Sequence, residues 1–339
     1  MHAIRRGIWA ETAPDSALRD PATWRLLQRH GLEAAIAVRP HHIDDVTRWA
    51  DIAHACGVRT SVWPMIHDDD GRWLSTANVA IFSSFVRDVR AAAPGSELVL
   101  DLEPPFPLVR GALDGRPLAA ARLLALARDT EERREGQRAI VTLCAETIRA
   151  GGSLMLGVMP FVLFDGDEGR GAWSRLCGSP AELPAARLNV MLYSSLIEGY
   201  SRGSLRRADV RSLLYEGCRG AVHAFGARAA VSLGSAGIGA LGDEPVYSDP
   251  SALADDVALA TAAGVRDQWL FDLGGVLSRG APEPWLAAFV APAAAVDPPR
   301  PTARSRSATA LLWSLGRALG AGSSALSFAE RGTFLRALW

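Results

Sequence analysis

Two carboxylates stand two residues apart in the run VLDLEPP, at Asp101 and Glu103. On a strand, that spacing puts both side chains on one face. If the face is the inside of a barrel, burial and mutual repulsion raise the pKa of one of them. A carboxylic acid still protonated near neutral pH can protonate a departing glycosidic oxygen. Ion pairing of the couple, with Arg39 for example, is the purely structural alternative. Other chemistry-bearing residues also fall where apolar runs end: Trp9 and Glu11, Arg39, Trp63 and His67, Phe161, Tyr193 and Asp272. The rings of Trp9, Trp63, Trp73, Phe106, Phe161 and Tyr193 could stack on sugar faces. Trp24 and Trp49 sit at helical spacing and read as core.

The elements that must position these residues alternate in a regular way. Apolar runs begin near Ile4, Leu32, Val58, Glu97, Ser153, Arg187, Ala229 and Asp267, with longer amphipathic stretches between them. The runs are mostly apolar rather than strictly alternating, as parallel strands covered on both faces should be. In HHIDDVTRWADIAHACG, Ile43, Val46, Trp49, Ile52, Ala53 and Cys56 recur at three- and four-residue spacing, and Gly57 is the stop. Ser248 or Asp249 caps a second helix, with Pro250 in its first turn and Gly264 at its end. The Arg/Glu-rich stretch 116–151 holds one long helix or two. Eight units without a GxGxxG after the first strand favour an α/β fold, a (β/α)8 TIM barrel over residues 1–290, above a doubly wound sheet. Residues 291–307, rich in Pro, Ala, Ser and Arg, read as a linker, and 308–339 as a helical C-terminal extension. Arg317 and the glycines interrupt the apolar runs of the extension. It is therefore expected to pack on the barrel or a partner rather than on a membrane.

In such barrels the reacting groups lie at strand C-terminal ends. With the motif on strand four, the chain resembles glycoside hydrolase family 18, the chitinases and chitobiases. LDLE is similar to the end of that family's DxxDxDxE motif, and Met191-Leu192-Tyr193 to its M-x-Y-D. The resemblance implies Glu103 as general acid/base. It gives Asp101 and Tyr193 the task of holding an N-acetyl group, whose own oxygen acts as nucleophile. Ser96 and Val99 occupy the places of the family's two earlier aspartates, and Ser194 that of the aspartate after the tyrosine. The eighth strand carries Trp269 and Asp272. The specific motifs cover about ten residues, the fold-level likeness roughly 4–290. Glu103-Pro104 also half fits the NEP of barrels that use two glutamates, but strand seven, AAVSLGSAG, has no carboxylate. A second one would have to be Asp272 or Glu11.

Composition narrows the classes. The chain has 339 residues, 49% hydrophobic and 22% charged, enough for one large core. A formal net charge of −1 offers nucleic acid no global attraction. There is no lysine, so Schiff-base aldolase and P-loop chemistry are excluded. Cys56, Cys144, Cys177 and Cys218 are far apart and read as buried thiols. The start MHAIRRGIWAETAP lacks the apolar run of a signal peptide, which makes a cytoplasmic location the expectation. The histidines show no zinc spacing, and the acidic loops His67–Trp73 and Phe164–Gly171 read as solvated turns, so neither metal nor cofactor is expected. The expected function is a glycoside hydrolase-like barrel acting on an oligo- or polysaccharide. Two alternatives stand beside it. One is a catalytically silent sugar-binding barrel. The other is a phospho-sugar isomerase or lyase that holds phosphate at the glycine-rich loops after strands seven and eight, with Arg279 as counter-charge.

Overall fold

The computed structural model of the protein describes residues 4–165, 171–180, 184–292 and 295–320. Eight parallel strands close into a barrel in sequence order. They are β1 (Arg5–Ala10), β2 (Glu33–Val38), β3 (Thr60–Pro64), β4 (Glu97–Leu102), β5 (Leu154–Val158), β6 (Arg187–Met191), β7 (Ala229–Gly234) and β8 (Asp267–Phe271). Each lies within a run chosen from the sequence. The helix read from Ile43 starts at Val46, after a 3-10 turn at Pro40–His42. Asp249 caps the helix Pro250–Ala262 through the Ser251 and Ala252 amides. The stretch 116–151 holds two helices, Pro117–Ala125 and Glu131–Arg149. The cysteines are free thiols, three of them buried and Cys56 partly exposed.

Strand alternation divides the apolar residues into two clusters. Outward side chains such as Ile36, Leu100, Leu156 and Leu233 meet the helices. Inward ones fill the barrel in layers. The lowest layer, at the N-terminal ends, is ionic. Arg187 pairs there with Glu97, with Asp267 at 3.3 Å and with Glu33 at 3.6 Å. Glu97 also accepts from the Ser61 and Ser153 hydroxyls, each at 2.9 Å. The next layer is aromatic. Trp9 packs against Trp63 and Trp269 with ring centroids 4.7 and 5.2 Å apart. Trp269 lies beneath Gly7, where a Cβ would come within 2.6 Å of the indole, so a bare backbone is what lets the ring fit.

The outer ring is completed from the C-terminus. Between β5 and β6 the described residues hold only the 3-10 turn Pro160–Phe164 and the short helix Ala172–Leu176. The helix Ala303–Gly320 packs against both and against the helix Arg207–Phe225. It begins inside the segment read as linker, and residues 321–339 of the expected extension lie outside the described residues. Thr302 Oγ1 donates to Asp209 Oδ1 at 2.6 Å, and Trp173 Nε1 to the Leu312 carbonyl at 3.1 Å. Gly316 sits directly on the Trp173 indole. Among the described residues no helix is long and apolar enough to cross a membrane.

Replacing Arg187 by Ala leaves the largely buried Glu97 and Asp267 without their ion-pair partner, whereas Glu33 keeps Arg5. Urea denaturation is expected to show a loss of about 3–5 kcal/mol. A loss below about 1 kcal/mol would mean that the ionic layer carries little of the stability.

Candidate active site

A pocket opens at the C-terminal end of the barrel, above the tryptophan layer. Its walls include Glu11, Trp63, Trp73, Asp101, Glu103 and Tyr193, with Met159, Met191, Leu241, Glu244 and Phe271. Asp101 is 3% exposed and Glu103 is 6% exposed, so the two carboxyls spaced along β4 do face inward together. Asp101 lies opposite Gly157 on β5, where a Cβ would meet its Oδ1 at 2.7 Å. The missing side chain on β5 is thus the space that Asp101 fills.

Burial pushes both carboxyls above their ordinary range. Glu103 rises further, because the negative charge of Asp101 and a hydrogen bond to it add to desolvation. The two carboxyls therefore titrate as a coupled pair that shares a proton between them. Glu11, one wall away, is pushed up to about 7 by burial, although the Arg72 guanidinium pulls the other way. Arg72 Nη1 donates to Glu11 Oε1 at 2.8 Å, and its Nε to Asp68 Oδ1 at 3.0 Å. The guanidinium also lies 4.6 Å from the centre of the Phe106 ring, which itself packs on Trp73. Tyr193 is kept a neutral phenol by burial and by the nearby acids.

Of the residues singled out in the sequence, the structure brings Glu11, Trp63, Trp73, Asp101, Glu103 and Tyr193 to this pocket. Trp9 is not among its walls. It is 3% exposed one layer down, with Nε1 donating to Ser232 Oγ at 2.8 Å. Phe161 is not among the pocket walls either; it stacks on Trp173 in the cluster under the C-terminal helix. Asp272 is fully buried and has a structural task. It accepts from Thr12 N and Thr12 Oγ1 at 2.9 and 2.6 Å and from Gly275 N at 2.9 Å. It thereby caps the helix Leu273–Ser278 and ties β8 to the loop after β1. Arg39 lies at the rim, donating to the Ile66 carbonyl and to Asp68 at 2.8 and 2.9 Å. With the exposed His67 it borders a shallow surface depression.

The phosphate reading loses its anchors. The amides at the starts of the helices after β7 and β8 already serve Asp249 and Asp272, and an anion there would meet carboxylates. Arg279 donates to the Ala236 carbonyl and lies over the Trp285 ring. In the loop His67–Trp73, Asp68 pairs with Arg39 and Arg72. The loop Phe164–Gly171 lies largely outside the described residues. Among the described residues no group of three or more His, Cys, Asp or Glu could hold a metal.

Three site residues escaped the sequence reading. Arg72 follows a run of aspartates that read as a solvated turn. Phe271 ends β8, next to the more conspicuous Asp272. Glu244 sits in the glycine-rich loop after β7, GSAGIGALGDEP, where the only signal is the acidic pair Asp243-Glu244 closing a run of small and apolar residues.

No family model matches the chain, and no curated protein matches it. Solved structures do. The PgaB (BpsB) glycoside hydrolase domain from Bordetella bronchiseptica aligns with a TM-score of 0.51 at 13% identity, over 85% of this chain and 98% of that one. An endo-β-mannanase/endo-β-glucanase from Prevotella bryantii aligns with a TM-score of 0.51 at 12% identity, over 85% of this chain and 48% of that one. A D-allulose 3-epimerase from Methylomonas sp. aligns with a TM-score of 0.44 at 16% identity, over 86% of this chain and 96% of that one. The first two are similar to this chain in fold, and at such identities the likeness is to the fold alone.

A carboxyl whose pKa is raised in the folded state binds its proton more tightly there than in the unfolded chain. Its effect on stability therefore worsens as pH rises from the unfolded value, 4.5 for Glu103, up to the folded one. Glu103→Gln removes this penalty. The variant is expected to gain stability over wild type between pH 5 and 8, by up to about 1.4 kcal/mol per pH unit. Urea titrations of both proteins across that range check it, and a gap that does not widen with pH would show that Glu103 is not perturbed.

Proposed function

We propose that the protein is a glycoside hydrolase-like barrel enzyme that cleaves an oligo- or polysaccharide, with Glu103 as general acid/base and Asp101 and Tyr193 in support. The observation that carries this reading is the carboxyl of Glu103, buried in the pocket beside Asp101, where desolvation and the charge of Asp101 raise its pKa well above the ordinary carboxylate value. The TIM-barrel fold and the pocket's place at the strand C-terminal ends support it. So do the aromatic walls Trp63, Trp73 and Tyr193.

In the first step the bond from C1 to the leaving oxygen breaks while the proton of Glu103 moves onto that oxygen. The electron deficiency at C1 needs a nucleophile. By the resemblance to family 18 in LDLE and MLY, that nucleophile is the carbonyl oxygen of the substrate's own acetamido group. Asp101 suits this role, because its Oδ1 is buried with no partner among the described residues and can accept the acetamido N–H. Tyr193, hydrogen-bonded to Ser232, stands on the adjoining wall. Glu103, now a carboxylate, then takes a proton from the water that attacks C1 as the bond from C1 to the acetamido oxygen breaks, which restores the acetamido group, the acid and the enzyme. Should the substrate lack an acetamido group, Glu11 is the carboxylate placed to act as nucleophile or base, since Asp272 is fully engaged as a helix cap.

A hydrolysis screen with fluorogenic glycosides tests this reading, including N-acetylglucosaminides with and without reducing-end extension. Glu103→Gln is expected to lose about 10²–10⁴-fold in kcat on substrates whose leaving group needs protonation. Normal turnover by the variant would sink the proposal. Activity confined to N-acetylated substrates and retained by Glu11→Gln supports the substrate-assisted route, whereas loss in Glu11→Gln transfers the second role to that residue. Saccharide affinity without cleavage in either protein would make the barrel a silent sugar binder.

A further inference from the structure

Glu244 is a buried acid that the proposed reaction does not use. It is 8% exposed, on the loop between β7 and the helix Pro250–Ala262, and it lines the same pocket. Its Oε1 accepts from the Leu241 amide at 2.7 Å, within the loop. Its Oε2 is buried with no partner among the described residues. An unpaired carboxylate oxygen in such a place is costly unless a ligand supplies a donor. Gly239 makes the room for it. A Cβ there would stand 2.9 Å from the Phe271 ring and 3.1 Å from Glu244 Oε1.

The charge of the pocket says what kind of donor fits. Its described walls carry four acids, Glu11, Asp101, Glu103 and Glu244, and no arginine or histidine, and the chain has no lysine. Arg72 lies behind Glu11 and is committed to it and to Asp68. An anionic sugar would find no counter-charge, whereas an ammonium would meet a carboxylate already fixed in position. The third orphaned group in the walls is a donor, Trp63 Nε1, which suits a hydroxyl or ether oxygen of the same ligand.

We infer that Glu244 is a specificity-determining residue that binds the ammonium of an amino sugar, so that the pocket takes a saccharide carrying at least one free amine and rejects uronates. The inference rests on the proposed carbohydrate ligand, but not on its cleavage. Asp101 on β4 and Glu244 on the β7 loop belong to different walls. One chain bearing both an acetamido group and an amine can therefore engage both.

Isothermal titration calorimetry on the full chain tests it with three probes: a partly N-acetylated glucosamine tetramer, the fully N-acetylated tetramer and a galacturonate tetramer. The partly acetylated probe is expected to bind wild type about tenfold more tightly than the fully acetylated one, and galacturonate not at all. Glu244→Gln keeps an acceptor for the Leu241 amide and should abolish the preference. Equal affinities in wild type, tighter uronate binding, no binding of any probe, or a preference that survives Glu244→Gln each overturns the inference. If the variant does not fold, the order of affinities in wild type decides alone. Preferential binding without turnover would leave this inference standing and sink the glycosidase reading, so the two failures are distinguishable.

Discussion

The barrel is organised upward from one buried arginine. Arg187 meets Glu97, Asp267 and Glu33 at the N-terminal end of the interior and lies 5.2 Å from the centre of the Trp269 ring above it. Without that cation, Glu97 and Asp267 would face the closed interior with no ion-pair partner, while Glu33 would keep Arg5. With it, strands β2, β4, β6 and β8 are pinned at a common level. The ionic layer sets the floor on which Trp269, Trp9 and Trp63 stack. The tryptophans in turn fill the barrel at mid-height, and the level above them is the pocket, walled also by Met159, Met191 and Phe271. Glu11, Asp101, Glu103 and Tyr193 occupy that level.

This layering explains which parts of the site could be read from the sequence. Asp101 and Glu103 share a strand, so a period of two suffices to put them on one face, and eight apolar runs suffice to make that face an interior. Depth along the barrel axis is another matter. Trp9 and Trp63 both end apolar runs, yet Trp9 stands opposite Ala35 on β2 and Trp63 opposite Ala37. The stagger between strands lifts Trp63 one pleat higher, into the pocket, and leaves Trp9 in the core. No residue in either run announces that shift, because register between strands is a property of the closed sheet.

Loops hide more. Asp272 and Glu244 are both acids near the ends of late strands, and composition does not separate them. The difference lies in the groups each one meets. Asp272 finds the Thr12 and Gly275 amides and becomes a cap, its lone pairs consumed by backbone. Glu244 finds one amide, and its second oxygen is buried without a partner among the described residues. The C-terminal helix shows the same limit at larger scale. Its sequence reads as an interrupted amphipathic extension. Its place is fixed by a feature that pattern does not state: the described residues between β5 and β6 hold only a 3-10 turn and a five-residue helix, and Trp173 is covered from the C-terminus.

The acidity of the pocket and the stability of the fold are linked through burial. Desolvation keeps Glu103 protonated at a pH where a surface glutamate would be ionised, which is the property a general acid needs. The same desolvation makes the folded state resist losing that proton, so every pH unit above the ordinary carboxylate range weakens the fold relative to one with a neutral residue there. Arg72 restrains the effect by pairing with Glu11 across the wall and, as the smallest of the causes at Glu103, pulls that carboxyl down as well. It has no counterpart beside Asp101 or Glu103, and Gly157 leaves Asp101 space without giving it a donor. An additional arginine there would relieve the strain of the fold but would draw the proton off Glu103. The unpaired carboxyls of β4 are therefore intelligible as a concession of stability to proton transfer, made where the strong ionic floor and the aromatic layer beneath can bear it.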